Sequence, residues 1–341
     1  IDVFPVENLK SLFLHLKKEK IIKPIDRSSI KNVSHNHKNA PTIDDIYGQE
    51  QAKRAIQIAV AGRHNILLSG PPGSGKTMLA KSLKNLLPAL SEDEIVEVTK
   101  LHSLGEHTII NNPIVDRPFR SPHHTASRAS IIGGGSKVQP GEISLAHRGV
   151  LFLDELLEYP RTVLESLRQP LEDHEITVSR ANGKFNFPAN FLLVATMNPC
   201  PCGFLGDPEK TCICSQNQII NYQKRLSGPL LDRIDLTVSV SRVPHEKLLN
   251  NKMSTKSQQE TFLSEIHKAY SIQRDRYKCS YKYNNDIPSN SVDKITSISE
   301  SAKTFLTNAA RKLDLSTRSY FKVIKVSRTI ADLEGSTSIE I

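Results

Sequence analysis

No stretch of this 341-residue chain approaches the roughly 20 consecutive apolar residues that a helix needs to cross a bilayer, so no membrane partner is expected. No leader is visible either: the chain starts at Ile1, without a basic segment followed by an apolar one, and is expected to be a piece of a longer protein. Cysteine is scarce. Four of its five copies fall between positions 200 and 214, unlike the framework of a secreted disulfide protein, and a cytoplasmic location is expected. No internal repeat is found. Hydrophobic residues, at 38%, are few but sufficient for a folded globular protein. The charge is mildly one-sided, 45 Lys and Arg against 36 Asp and Glu. That balance permits contact with nucleic acid or an acidic surface without establishing it. The length accommodates two domains, or one with appendages.

What is present is concentrated around one motif. Residues 70–77 read Gly70-Pro71-Pro72-Gly73-Ser74-Gly75-Lys76-Thr77, a match to the phosphate-binding loop G-x-x-x-x-G-K-[ST]. Glycines there let backbone N–H groups turn toward phosphate oxygens. Lys76 is expected at the β- and γ-phosphates of ATP and Thr77 on Mg²⁺. The flanks agree with this reading. Residues 65–69 form a short apolar run, and Leu79, Ala80, Leu83, Leu86 and Leu87 follow at helical spacing until Pro88. A strand, a loop and then a helix N-terminus is the arrangement that presents phosphate to the positive end of a helix.

Further apolar runs at 150–153, 191–195 and 236–240 alternate with helical stretches, among them one over 43–61. Buried, non-alternating strands between helices predict an α/β fold with a parallel sheet covered on both faces. The run at 150–153 ends in Asp154 and Glu155: Asp154 would help to hold Mg²⁺, and Glu155 would activate the attacking water. Solvent-facing carboxylates at a strand end are the plainer alternative. Asn198, ending the next run, is placed to position that water or simply to form a turn before Pro199. Arg233 is either an arginine finger for a neighbouring subunit or a partner of Asp232 or Asp235. Residues 6–16 read as a short amphipathic helix, 28–41 as a linker, and the chain after Pro244 as an all-helical domain.

Taken with 117–127, 133–147, 164–172 and 198–203, these motifs resemble the magnesium-chelatase-like AAA+ ATPases of the YifB and ComM type. The resemblance runs from about Asp44 to the C-terminus. It implies an AAA+ P-loop core of three α/β/α layers over 43–243 and a helical lid over 244–341. Residues 1–42 would be the end of a truncated Lon-like domain and a linker. It matches Lys76 and Thr77 to Walker A, Asp154 and Glu155 to Walker B, and Asn198 to sensor 1. Arg233 matches the finger and Arg318 sensor 2, acting within its own chain, with Arg328 as rival. Tyr47 and Gly48 would line the adenine pocket, with Met78 completing the nucleotide contacts. A homo-oligomeric ring, expected to be a hexamer, follows from a finger that acts on a neighbour.

Two features bear on the substrate. Residues 175–187 alternate as a hairpin with an Asn182-Gly183 turn, flanked by Arg180 and Lys184. In the resembling family this hairpin faces a central pore, and basic residues there suit a DNA backbone. Cys200, Cys202, Cys212 and Cys214 can satisfy a tetrahedral Zn²⁺; reduced thiols in a loop, or an iron–sulfur cluster, are the alternatives. The adjacent His123 and His124 are read as structural or interfacial rather than metal-binding. The leading reading is a DNA motor of the branch-migration kind. Metal insertion into a porphyrin and protein remodelling are the alternatives.

Overall fold

The protein is described by a computed structural model over residues 4–6, 8–24, 40–105, 112–135, 138–180, 183–243, 257–278 and 283–341. The chain forms two compact units, residues 1–38 and 39–341. Within the first, the helix Leu9–Leu16 starts where Asn8 accepts the Ser11 N–H at 2.9 Å. Most of the expected linker lies outside the described residues, as does Cys279.

Among the described residues of the second unit are nine strands: β1 (Ile66–Ser69), β2 (Phe119–Arg120), β3 (Gly133–Gly134), β4 (Gln139–Pro140), β5 (Val150–Leu153), β6 (Glu175–Arg180), β7 (Gly183–Pro188), β8 (Leu192–Met197) and β9 (Leu236–Ser239). Five make one parallel sheet in the order β2-β5-β8-β1-β9. Pleating divides its side chains between two cores. Leu67, Leu151, Leu153, Leu193 and Ala195 face one, with Val163, Leu164 and Leu101. Ile66, Leu68, Val150, Phe152, Leu192 and Val194 face the other, with Ile56, Leu79 and Leu83. The result is the three-layer α/β/α core expected from the apolar runs.

Three details differ from the sequence reading. Phe119–Arg120, not among the expected strands, is the fifth strand of the sheet and pairs with β5. The helix expected over 43–61 is broken: a 3₁₀ turn, Ile43–Asp45, precedes the helix Glu50–Gly62, and Gln49 between them is left-handed at φ 59°. The helix after the phosphate loop ends early, at Lys76–Ser82, and tightens into a 3₁₀ turn, Leu83–Asn85. Ser82 there donates its hydroxyl back to Leu79 O at 2.8 Å, a bond that competes with the helical ladder.

The C-terminal helices pack onto the second core. Ile266 and Ala269 of Gln258–Tyr277, and Leu333 of Thr317–Glu334, join its buried cluster. Tyr270 donates to Val60 O and Gln273 to Ala61 O, both at 2.8 Å, and His64 meets Thr329 Oγ1 at 2.7 Å. The boundary expected at 243/244 opens onto 244–256, outside the described residues. Ser316 caps Thr317–Glu334 by accepting the Ser319 N–H. Along that helix Ile324 and Ala331 are buried, Val323 is exposed and Arg328 is fully buried.

Candidate nucleotide site

Parallel strands bring their C-terminal ends to one edge of the sheet, and three of them deliver the expected residues there. β1 leads into residues 70–77, β5 into Asp154 and Glu155, and β8 into Asn198. Lys76 Nζ donates to Gly70 O at 2.7 Å, Pro71 O at 2.8 Å and Asn198 Oδ1 at 3.3 Å. Burial draws its pKa below the usual lysine value, against the pull of Asp154 and Glu155. Gly70 is required sterically: a Cβ there would stand 2.1 Å from Val240 O.

Thr77 Oγ1 donates to Asp154 Oδ2 at 3.2 Å. These hard oxygen donors, side by side, fit Mg²⁺. Thr196, which the sequence reading missed, ties the acidic pair together. Its hydroxyl donates to Asp154 Oδ1 and accepts the Glu155 N–H at 3.0 Å. Glu155 is left-handed, at φ 54° and ψ 53°, a conformation uncommon outside glycine. Its carboxylate lies 3.8 Å from His124 Nδ1. His124 is itself framed by His123 and by the edge of Tyr159, whose hydroxyl donates to Pro122 O at 2.5 Å. Sequence predicted a structural or interfacial role for the two histidines and did not show the contact of His124 with Glu155, because 30 residues lie between them.

Beside the loop is a cavity of about 500 Å³. Tyr47, Gln49, Pro72, Gly73, Ser74, Gly75 and Met78 line it, together with Glu209, Arg242 and Val243. Gly48 lies against Val243. Glu209 and Arg242 carry no motif signal; only the folded chain brings them here.

Arg233 and Arg318 are elsewhere. Arg233 precedes β9, and its carbonyl accepts from Asn65 Nδ2 at 3.0 Å, just ahead of β1. Because β1 and β9 run parallel, Arg233 is at the N-terminal edge of the sheet, roughly 13 Å (one four-residue strand) from the phosphate loop. Arg318 joins it there. Both guanidiniums pair with Glu172, Arg318 at 3.1 Å. Burial of Glu172 acts the other way, but the two cations hold its carboxyl below the usual range. The expectation that Arg318 serves the phosphates of its own chain does not fit this placement. Arg328, its rival, bonds Asp332 at 3.0 Å and the carbonyls of Thr296, Ser336 and Thr337. Those bonds give it a structural role.

The β6–β7 hairpin forms with the expected alternation, Ile176 opposite Phe187 and Val178 opposite Phe185. Lys184 is exposed. Residues 181 and 182 and the Arg180 side chain lie outside the described residues. The four clustered cysteines converge, with all their Sγ atoms within 4.8 Å of one another.

A family model described as magnesium chelatase, subunit ChlI, matches residues 42–248, and another, magnesium chelatase, subunit ChlI C-terminal, matches 255–341. The chain belongs to the magnesium chelatase ChlI family. This bears out the resemblance carried by its motifs and identifies the sheet domain as an AAA+ core followed by the family's C-terminal helical domain. Within the ChlI family the chain is 45% identical to competence protein ComM of Haemophilus influenzae over 90% of its own length and 59% of the relative's. It is 41% identical to YifB of Escherichia coli over 87% of its length and 58% of the relative's. It is 25% identical to the magnesium-chelatase subunit ChlI of Olisthodiscus luteus, over 45% and 49% respectively. The chain thus spans under two thirds of the length of the ComM and YifB relatives. Among its described residues no helix is long and apolar enough to cross a membrane.

Proposed function

We propose that this chain is an ATP-hydrolysing motor subunit that works in a ring on DNA. The observation that carries the ATPase reading is the convergence of Lys76, Thr77, Asp154, Glu155 and Asn198 at one sheet edge. Tyr47 and Met78 line the adjoining cavity, where a base would lie. Lys76 binds the β- and γ-phosphates of ATP once its contacts with Gly70 and Pro71 carbonyls are exchanged for phosphate oxygens. Thr77 and Asp154 would hold Mg²⁺, which supplies neutralising charge for the phosphates. Glu155 takes a proton from the attacking water, and Asn198 orients that water.

The separation of Arg233 from the loop supports a site shared between subunits. A cation at the far sheet edge serves a neighbour's phosphates in a closed ring, and a hexamer is the expected form. Arg318, sharing Glu172, belongs to the same surface. The exposed Lys184 on a two-stranded hairpin and the net charge of +9 support a phosphodiester partner. The similarity to a competence protein supports a competence-related role, and a DNA motor of the branch-migration kind is the form of that role we favour.

The test is ATP turnover by the full-length protein, with and without single-stranded or forked DNA. Glu155→Gln is expected to bind ATP yet turn over about 10²–10⁴-fold more slowly. DNA is expected to stimulate the wild type, and Lys184→Ala to blunt the stimulation. A flat response to DNA, with Lys184→Ala silent, sinks the DNA reading and favours metal insertion or protein remodelling. Unchanged turnover in Glu155→Gln sinks the ATPase site.

A further inference from the structure

The cysteine cluster lies against the nucleotide cavity, and this juxtaposition has a chemical consequence. Cys200 follows Asn198 by two residues and is fully buried. Its Sγ stands 3.4 Å from that of Cys202 and 3.7 Å from that of Cys212, and Cys202 and Cys212 are 3.6 Å apart. The backbone N–H of Cys202 donates to Cys214 Sγ at 3.4 Å. These separations are too long for disulfides, and all four thiols are free. Four thiolates about 2.3 Å from one tetrahedral ion stand about 3.8 Å from each other, close to the spacing seen here. A polynuclear iron–sulfur cluster interposes iron and sulfide between its thiolates and requires a wider cage.

The loop that these cysteines close is also a wall of the cavity. Gly203, at φ +84°, packs so tightly on the phosphate loop that a Cβ would fall 2.6 Å from Pro72 Cδ. Arg242 ties the same loop down. Its guanidinium pairs with the fully buried Asp207 carboxylate at 3.1 Å and with Glu209 at 3.4 Å, donates to Pro72 O at 3.2 Å and covers the Phe204 ring. Between Cys202 and Cys212 the loop has no helix or strand of its own. Its shape rests on short turns such as Glu209 N–H to Asp207 Oδ1 at 2.8 Å, on Arg242, and on whatever holds the four sulfurs at its ends.

We propose that Cys200, Cys202, Cys212 and Cys214 bind one Zn²⁺, and that this ion braces the nucleotide cavity by fixing Gly203 on Pro72 and Asp207 and Glu209 on Arg242. Binding deprotonates the thiols and releases their protons to solvent while Zn²⁺ keeps its oxidation state. Removing the ion frees the loop and loosens the phosphate loop beneath it. The bracing rests on the nucleotide reading of the cavity; the metal site does not.

The test uses the full-length protein, purified without added metal. Elemental analysis is expected to find about one zinc per chain, and far less in Cys212→Ser/Cys214→Ser. Mercurial displacement from the wild type, followed by removal of the mercurial with excess thiol, is expected to weaken binding of a fluorescent ATP analogue roughly tenfold. Zn²⁺ is expected to restore it, and Mg²⁺ alone is not. Hydrogen exchange should rise together in 199–214 and 70–77 on zinc removal, a readout that needs neither nucleotide nor a variant. Protein that carries no zinc and takes up none in dialysis overturns the site, as does the visible absorption of an iron–sulfur cluster. Zinc loss that leaves exchange at 70–77 unchanged overturns the bracing. Zinc-loaded protein that shows coupled exchange but binds no nucleotide overturns the nucleotide reading and with it the affinity link, while the metal site stands.

Discussion

Arg233 and Arg318 share one carboxylate, that of Glu172, although 85 residues and a domain boundary separate them in sequence. The pairing joins the C-terminal helical domain to the N-terminal edge of the sheet. It also holds two cations together on a surface remote from the phosphate loop of the same chain.

A shared site makes mixing informative. Arg233→Ala alone is expected to lower ATP turnover by about 10³-fold, as is Lys76→Ala alone. Mixed, the two variants should recover part of the activity, because some interfaces then pair an intact Lys76 with an intact Arg233. Arg318→Ala should behave like Arg233→Ala in the same mixture. Failure of every mixture to recover activity, in assemblies shown to contain both variants, contradicts action on a neighbour.

Arg328 and Arg318 are expected to separate by stability. Arg328 is wholly buried against Asp332, so Arg328→Ala leaves a buried carboxylate with Arg276 as its remaining cation. We expect a loss of about 3 kcal/mol in denaturant unfolding. Arg318→Ala, on an exposed side chain, should stay within about 0.5 kcal/mol of wild type. Equal effects would contradict the structural role given to Arg328.

The junction of core and helical domain should be acid-sensitive. His64 is fully buried against Thr329, and burial lowers its pKa from 6.5 to about 3, with Lys325 adding to the effect. The unfolded chain therefore binds a proton that the folded one refuses. The stabilisation is fully present above pH 6.5 and is lost as pH falls toward 3, at up to about 1.4 kcal/mol per pH unit. His147, lowered to about 4 by burial and Arg148, adds the same trend. His64→Ala should shallow the slope of unfolding free energy against pH between 4 and 6.5, whatever it costs at neutral pH. An unchanged slope would remove His64 from the account.

Residues 65–87, 150–155 and 191–198 were legible in the sequence because their information is local. An apolar run of strand length, a glycine-rich turn and a polar residue at a strand end each constrain the backbone within a few positions. The edge strand Phe119–Arg120 was not legible, since two residues carry no period and only pairing with β5 makes them a strand. Thr196, His124, Glu209 and Arg242 were invisible for another reason: each acts on a partner 30 or more residues away.

The sequence by itself determined that a triphosphate loop, two acids and an amide would come to one sheet edge, because parallel strands align their C-terminal ends. It also determined that four thiols would lie in one loop. Only the tertiary structure decided that Arg233 and Arg318 stand at the opposite edge, and that the thiol loop abuts Pro72. Strand order and domain docking are set by long-range burial of two apolar faces, which no local pattern encodes.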